Sequence, residues 1–217
     1  MTHLSESAAR KLLIALAIYI TALLASNTLG LKIMPFLFDS HLSVGIFMFP
    51  FVFLMTDIVG EVYGKKIAKF FVLAGIVSTL LWIGFTFLSL AMPWSADGGW
   101  AMGSYETIFG VSLRIAIASI IAFAVAEYQD VISFFFFKRT VKEGGFWLRS
   151  NLSNLWSQFL DTVLFMGIAF YGVYETPVLL SLIVTWWLYK VAMGVLYTPL
   201  SYIGIRLLRD NNGSKTD

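Results

Sequence analysis

Six stretches of this chain, at about 11–33, 42–64, 66–92, 108–130, 151–173 and 177–207, are each long and apolar enough to cross a lipid bilayer as a helix. A spanning helix needs roughly 20 mostly apolar residues. In lipid every backbone N–H and C=O must be paired within the protein, which leaves helices and closed barrels as the spanning structures. Barrel strands read as alternating segments of about 10 residues, whereas these runs are long and apolar on all sides. The composition agrees, with 59% hydrophobic and 13% charged residues, against about 25% charged in ordinary soluble domains. Mean hydropathy is +0.81. The expected fold is all-α: a polytopic membrane protein with six transmembrane helices in a single domain, 1–217. The last span is longer than needed and is expected to tilt, or to kink near Pro199, whose missing N–H breaks the helical ladder.

The cations predict the orientation. Of the 15 Lys and Arg, twelve fall at the N-terminus (Arg10, Lys11), between spans two and three (Lys65, Lys66, Lys69), between four and five (Lys138, Arg139, Lys142, Arg149) and at the C-terminus (Arg206, Arg209, Lys215). All of these lie on one side of a six-span chain. The opposite connections, "MPFLFDSHL", "PWSADGGWAMGSYE" and "YGVYETP", are acidic or neutral, and only Lys32 joins them. Basic loops stay in the cytoplasm, so both termini are expected there. The polar "MTHLSESAARK" leads into a span with no small-residue cleavage pattern after it, so no cleavable signal is expected.

Several chemistries drop out. Cysteine is absent, which excludes disulfides and thiolate chemistry. The two histidines, His3 and His41, lie outside the spans, so no metal site and no Ser–His pair can be built in the membrane. No Gly-x-x-x-x-Gly-Lys-Ser/Thr loop is present to hold ATP. The basic residues are not gathered on a polar domain, so nucleic acid is not an expected partner. No cofactor is expected.

Charges inside the spans carry the functional argument. Arg114 and Lys190 sit within spans, and Asp57, Glu61, Glu127, Asp130 and Asp161 lie within spans or at their cytoplasmic edges. A charge at the bilayer centre costs at least ~2.5–3.5 kcal/mol. These groups are therefore expected to face the bundle interior, where they pair or line water. Asp57 and Glu61 are one turn apart on one face. Span five carries a polar stripe of Asn151, Asn154, Gln158, Asp161 and Thr162, then Phe165, at helical spacing. Such residues also glue helices together, and Trp186 and Trp187 read first as packing, with a stacking surface as the alternative. The Gly60-x-x-x-Gly64 pair reads as close helix packing and is only weak evidence for a homodimer. A polar interior site with charges able to exchange partners fits a small-solute carrier. An intramembrane enzyme or a structural subunit is the rival reading.

At these residues the sequence resembles the queuosine precursor transporters, vitamin-uptake-transporter-like integral membrane proteins. The matching pieces are "SNTLGLK" (26–32), "FPFVFLMTDIVGEVYGKK" (49–66), "RIAIASIIAFAVAEYQD" (114–130), "WLRSNLSNLWSQFLDTVLFMGIAFYG" (147–172) and "YKVAMGVLYTP" (189–199). They occur in the family's order and touch five of the six spans. The resemblance implies uptake of 7-cyano-7-deazaguanine and its aminomethyl relative through the bacterial inner membrane, for making the queuosine base of tRNA. It implies a bundle like the substrate-binding components of energy-coupling-factor importers, which leaves an ATP-driven partner as an alternative. It carries over Asn27, Lys32, Asp57, Glu61, Arg114, Glu127, Asp130, Arg149, Asn151, Gln158, Asp161, Thr162 and Lys190.

A deazaguanine presents N–H and amino donors along one edge. A carboxylate can accept from both, and an aromatic ring can cover the flat face. Asp161 and Gln158 are thus expected to read the base edge, with Asn27 and Thr162 in the same site and Phe165 stacking. Asp57 and Glu61 are expected in the site or its cytoplasmic gate, paired with Arg114, Lys190 or Arg149. Lys32, Glu127, Asp130 and Asn151 complete the expected gate and charge network.

Overall fold

The first helix begins where Ser5 Oγ accepts the backbone N–H of Ala8 at 3.1 Å, an N-cap that satisfies one orphan donor of the opening turn. The computed structural model describes residues 5–36, 40–140, 145–196 and 198–208, with side chains throughout these except at 53, 65, 124, 126–154, 157 and 194–201. Helix α1 (Glu6–Leu29) closes at Gly30, whose N–H donates to Ser26 O. A short antiparallel hairpin follows, β1 (Ile33–Pro35) with β2 (His41–Ser43), placing Ile33 opposite Ser43 and Pro35 opposite His41. A 3-10 turn at Val44–Phe47 leads into α2 (Phe49–Tyr63).

Helix α3 (Lys65–Ala91) starts immediately after Gly64, whose φ of 85° makes the reversal; a Cβ there would strain the backbone. Helix α4 (Met102–Thr140) and α5 (Gly145–Phe170) form a long pair. Helices α6 (Thr176–Leu196) and α7 (Thr198–Leu208) complete the described chain. Residue 197, where the kink near Pro199 would fall, lies outside the described residues.

The helical assignment from sequence holds, with corrections at the ends. The first span was expected to reach 33, but the helix stops at Leu29 and the second resumes at Phe49. Proline at position 35 forbids an intrahelical N–H bond there and disfavours helix just before it, so the chain turns into a hairpin instead. Helix α4 overruns its expected span of 108–130 in both directions. Its 39 residues reach about 58 Å at 1.5 Å per residue, longer than the bilayer with its headgroups.

Among the described residues, five helical segments are long and apolar enough to cross a membrane: Glu6–Leu29, Val44–Tyr63, Lys66–Ala91, Ala96–Phe123 and Thr176–Met193. In α5 the described residues include a shorter apolar segment, Gln158–Phe170. The result is an all-α, multi-pass membrane protein with one small hairpin. Its outward surface is apolar, as on α3, where Phe85 and Phe87 are 68% and 67% exposed. A soluble protein would bury such side chains, whereas lipid accepts them.

The helices pack around two apolar centres. Ala15, Tyr19, Ala22, Val52, Val59 and Phe71 join α1, α2 and α3. Leu42, Ile46, Ile115, Met166, Phe170 and Leu182 join the hairpin and its turn to α4, α5 and α6. This second centre ends on Phe165 and Trp186, which roof the polar site described next.

Candidate functional site

Asp161 of α5 and Lys190 of α6 form an ion pair, with Nζ 2.6 Å from Oδ2. The Lys190 side chain is 12% exposed and that of Asp161 23%. Asp161 lies nine residues before the end of α5 at Phe170, or about 13 Å at 1.5 Å per residue. Asp161 therefore sits about two to three turns inside α5. A pair so sheltered persists only because each charge answers the other.

Aromatic rings lie beside the pair. Towards the hairpin, Trp186 meets the Phe49 ring edge-on at 5.6 Å between centroids and tilts against Phe165 at 6.2 Å. The Lys190 ammonium lies 5.9 Å from the Phe49 centroid, within cation–π range. Elsewhere between α5 and α6, Phe159 meets Trp187 edge-on at 5.4 Å, and Trp187 donates its indole N–H to Leu155 O. The rings beside the pair arise from helical spacing: Phe165 is one turn beyond Asp161, and Trp186 one turn before Lys190.

The polar capacity of the site is only partly used. An ammonium has three donors, and Lys190 makes one hydrogen bond among the described residues. Asp161 accepts that bond on Oδ2 alone. Gln158, three residues earlier on the same face, buries its Oε1 with no partner. Thr162 is fully buried and spends its hydroxyl on the Gln158 carbonyl, at 2.7 Å. The site therefore carries two acceptors, a carboxylate and an amide oxygen, one turn apart and short of donors.

The structure thus brings together Gln158, Asp161, Thr162, Phe165 and Lys190. It brings Arg114 elsewhere. Its Nε and one terminal nitrogen donate to Ile168 O (2.6 Å), in the last turn of α5, and Tyr171 O (2.7 Å), just past its end. The expected pairing of Asp57 and Glu61 with Arg114 or Lys190 is therefore not the one observed, because both cations bond groups of α5. Asp57 and Glu61 are exposed on α2, whose neighbours are α1, α3 and α7. Asn27 is 1% exposed on α1, with its Nδ2 unpartnered. It sits among groups that tie α1 to its surroundings: Ser43 Oγ donates to Gly30 O and Ser112 Oγ to Thr28 O. Lys32 is exposed just ahead of β1. The side chains of Glu127, Asp130, Arg149 and Asn151 lie outside the described residues.

Sequence reasoning missed Phe49 and gave Trp186 to packing. Nothing local marks Phe49 among the apolar residues of "FPFVFLM". For Trp186, its place one turn from an intramembrane lysine was the available signal.

Comparison with known proteins fits this arrangement. Residues 43–204 match the family described as "Putative vitamin uptake transporter". The chain is 30% identical over 179 residues to the "Probable queuosine precursor transporter" of Bacillus subtilis (strain 168), covering 82% of this chain and 78% of that one. It is 28% identical over 171 residues to the "Queuosine precursor transporter" of Escherichia coli (strain K12), covering 79% and 74%. No solved structure gives a significant match. A family match across most of the chain, with relatives that agree in name, places this protein in the vitamin-uptake-transporter-like family that includes the queuosine precursor transporters.

Proposed function

We propose that this protein imports a queuosine precursor, 7-cyano-7-deazaguanine and its aminomethyl relative, across a bacterial inner membrane into the cytoplasm. It acts as a carrier and not as an enzyme. It works as one domain of six spans, α5 supplying the sixth, with both termini cytoplasmic; the basic connections support that orientation.

The observation that carries this reading is the acceptor pair on α5. Asp161 and Gln158 have unused acceptor capacity, and Phe165, one turn beyond Asp161, packs its ring against Trp186. A deazaguanine edge supplies adjacent N–H and amino donors, and its ring system is flat. A carboxylate facing two donors gives charge-assisted bonds, the stronger kind. The printed names of the relatives point to the same ligand class. Alternating access between the two membrane faces would follow from rearrangement around a fixed site.

The test is uptake of radiolabelled 7-cyano-7-deazaguanine by liposomes containing only the purified chain. Saturable uptake that Asp161→Asn abolishes is the expected result. Uptake that appears only when an ATPase complex is added would instead make the chain the binding component of a larger importer.

A further inference from the structure

The Asp161–Lys190 pair is poorly satisfied for so sheltered a contact. The Lys190 side chain is 12% exposed, and its ammonium makes one hydrogen bond among the described residues, with the Phe49 ring as its second neighbour. The carboxylate is the more accessible partner, at 23%, and holds Lys190 through one oxygen. Gln158 Oε1 is buried beside it along α5 and has no donor. A purely structural ion pair would be expected to fill its remaining valences, because unpaired capacity is costly in a low-dielectric interior.

We propose that the Lys190 ammonium is an internal stand-in for the substrate's donor edge: it holds Asp161 in the empty site and is displaced when substrate binds. This rests on Asp161 being the carboxylate that reads the substrate. The ammonium already lies over the Phe49 ring, with Nζ 5.9 Å from its centroid, a contact that stabilises a cation and does not depend on the carboxylate. The substrate brings two donors to a carboxylate that Lys190 engages with one, and its further donor capacity can reach Gln158. Lys190 therefore sets a threshold. Ligands with a single donor do not repay the loss of the ion pair, whereas a ligand with adjacent donors does. The same competition returns the site to its empty state after release, because Lys190 reclaims Asp161.

The experiment measures Kd for 7-cyano-7-deazaguanine by calorimetry on the full chain in nanodiscs. Lys190→Met, which keeps length and removes the cation, is expected to bind about tenfold more tightly, equivalent to 1.4 kcal/mol. In liposome uptake the same variant is expected to lower KM and Vmax together, since a tighter complex releases more slowly. Lys190→Gln covers the case in which Lys190→Met fails to fold; it is expected to fall between wild type and Lys190→Met. Weaker binding by the folded variants would make Lys190 a direct substrate contact and overturn the proposal. Unchanged Kd with only lowered thermal stability would make the pair structural and overturn it equally. Absence of binding by the wild-type chain would instead remove the substrate assignment beneath it.

Discussion

Arg114 reaches from α4 to the end of α5, with Nε 2.6 Å from Ile168 O and a terminal nitrogen 2.7 Å from Tyr171 O. The last carbonyls of a helix have no partner of their own and carry the negative end of its dipole. A guanidinium answers both needs with its fixed fork of donors. Hydrogen bonds to a charged group contribute about 1.5–3 kcal/mol each. Arg114→Ala is therefore expected to lower thermal stability markedly, and Arg114→Lys to recover only part of it. Substrate Kd in the folded fraction is expected to change little. A large loss of affinity at preserved Tm in Arg114→Lys would return this residue to the binding site.

The crossing of α1 and α3 depends on the absence of one side chain. A Cβ on Gly75 would lie 2.5 Å from Tyr19 Oη, 2.8 Å from its ring and 3.0 Å from Leu23 Cδ2. The ring cannot retreat freely, since Tyr19 is 5% exposed and tilts against Phe71 at 5.9 Å. Overpacking of this kind costs about 1–3 kcal/mol. Gly75→Ala is expected to lower Tm, and adding Tyr19→Phe, which removes the closest atom, to restore part of the loss. Equal Tm for Gly75→Ala and wild type would show that the two helices can separate at no cost.

Membrane class and helix order were legible because lipid imposes one requirement, a long apolar run, on every span. The intramembrane charges were legible for the same reason: they break that rule visibly. What the sequence could not supply was which charge answers which. Asp161 and Lys190 are 29 residues apart on different helices, and the rotation of each helix decides whether they face. Arg114 looked like an equal candidate for the site, yet it meets carbonyls that any sequence presents at a helix end. The hairpin at 33–43 went unforeseen because its strands are three residues each. Such strands are too short to show a period of two against the neighbouring apolar spans.

Tyr174, in the connection between α5 and α6, donates its hydroxyl to Leu31 O at 2.9 Å and so ties that connection to the segment leaving α1. Burial disfavours the phenolate and pushes its pKa above the usual phenol value. The neutral form is favoured in the folded protein. The resulting stabilisation is complete below the unfolded-state pKa and is lost as pH rises through the raised folded-state value. Unfolding followed across the alkaline range is expected to show a fall in stability that is shallower in Tyr174→Phe. Below that range Tyr174→Phe is expected to be less stable than wild type by about 0.5–1.5 kcal/mol, the net contribution of one hydrogen bond. Identical alkaline profiles for the two proteins would assign the loss to other groups.

Gln158 separates stability from function most sharply. Its Oε1 is buried without a partner in the empty protein, and an unsatisfied buried acceptor costs about 1–3 kcal/mol. Gln158→Leu removes that acceptor at nearly constant volume. The empty variant is therefore expected to melt at or above the wild-type temperature. If Oε1 is kept for a substrate donor, the same variant loses the stabilisation that ligand confers. Ligand-dependent stabilisation grows as RT ln(1 + [L]/Kd), so a tenfold weaker Kd removes about 1.4 kcal/mol of it at saturating ligand. Melting curves with and without 7-cyano-7-deazaguanine measure both quantities in one titration. A variant that melts lower when empty, and gains as much from ligand as wild type, would show that Gln158 holds helices together and does not meet the substrate.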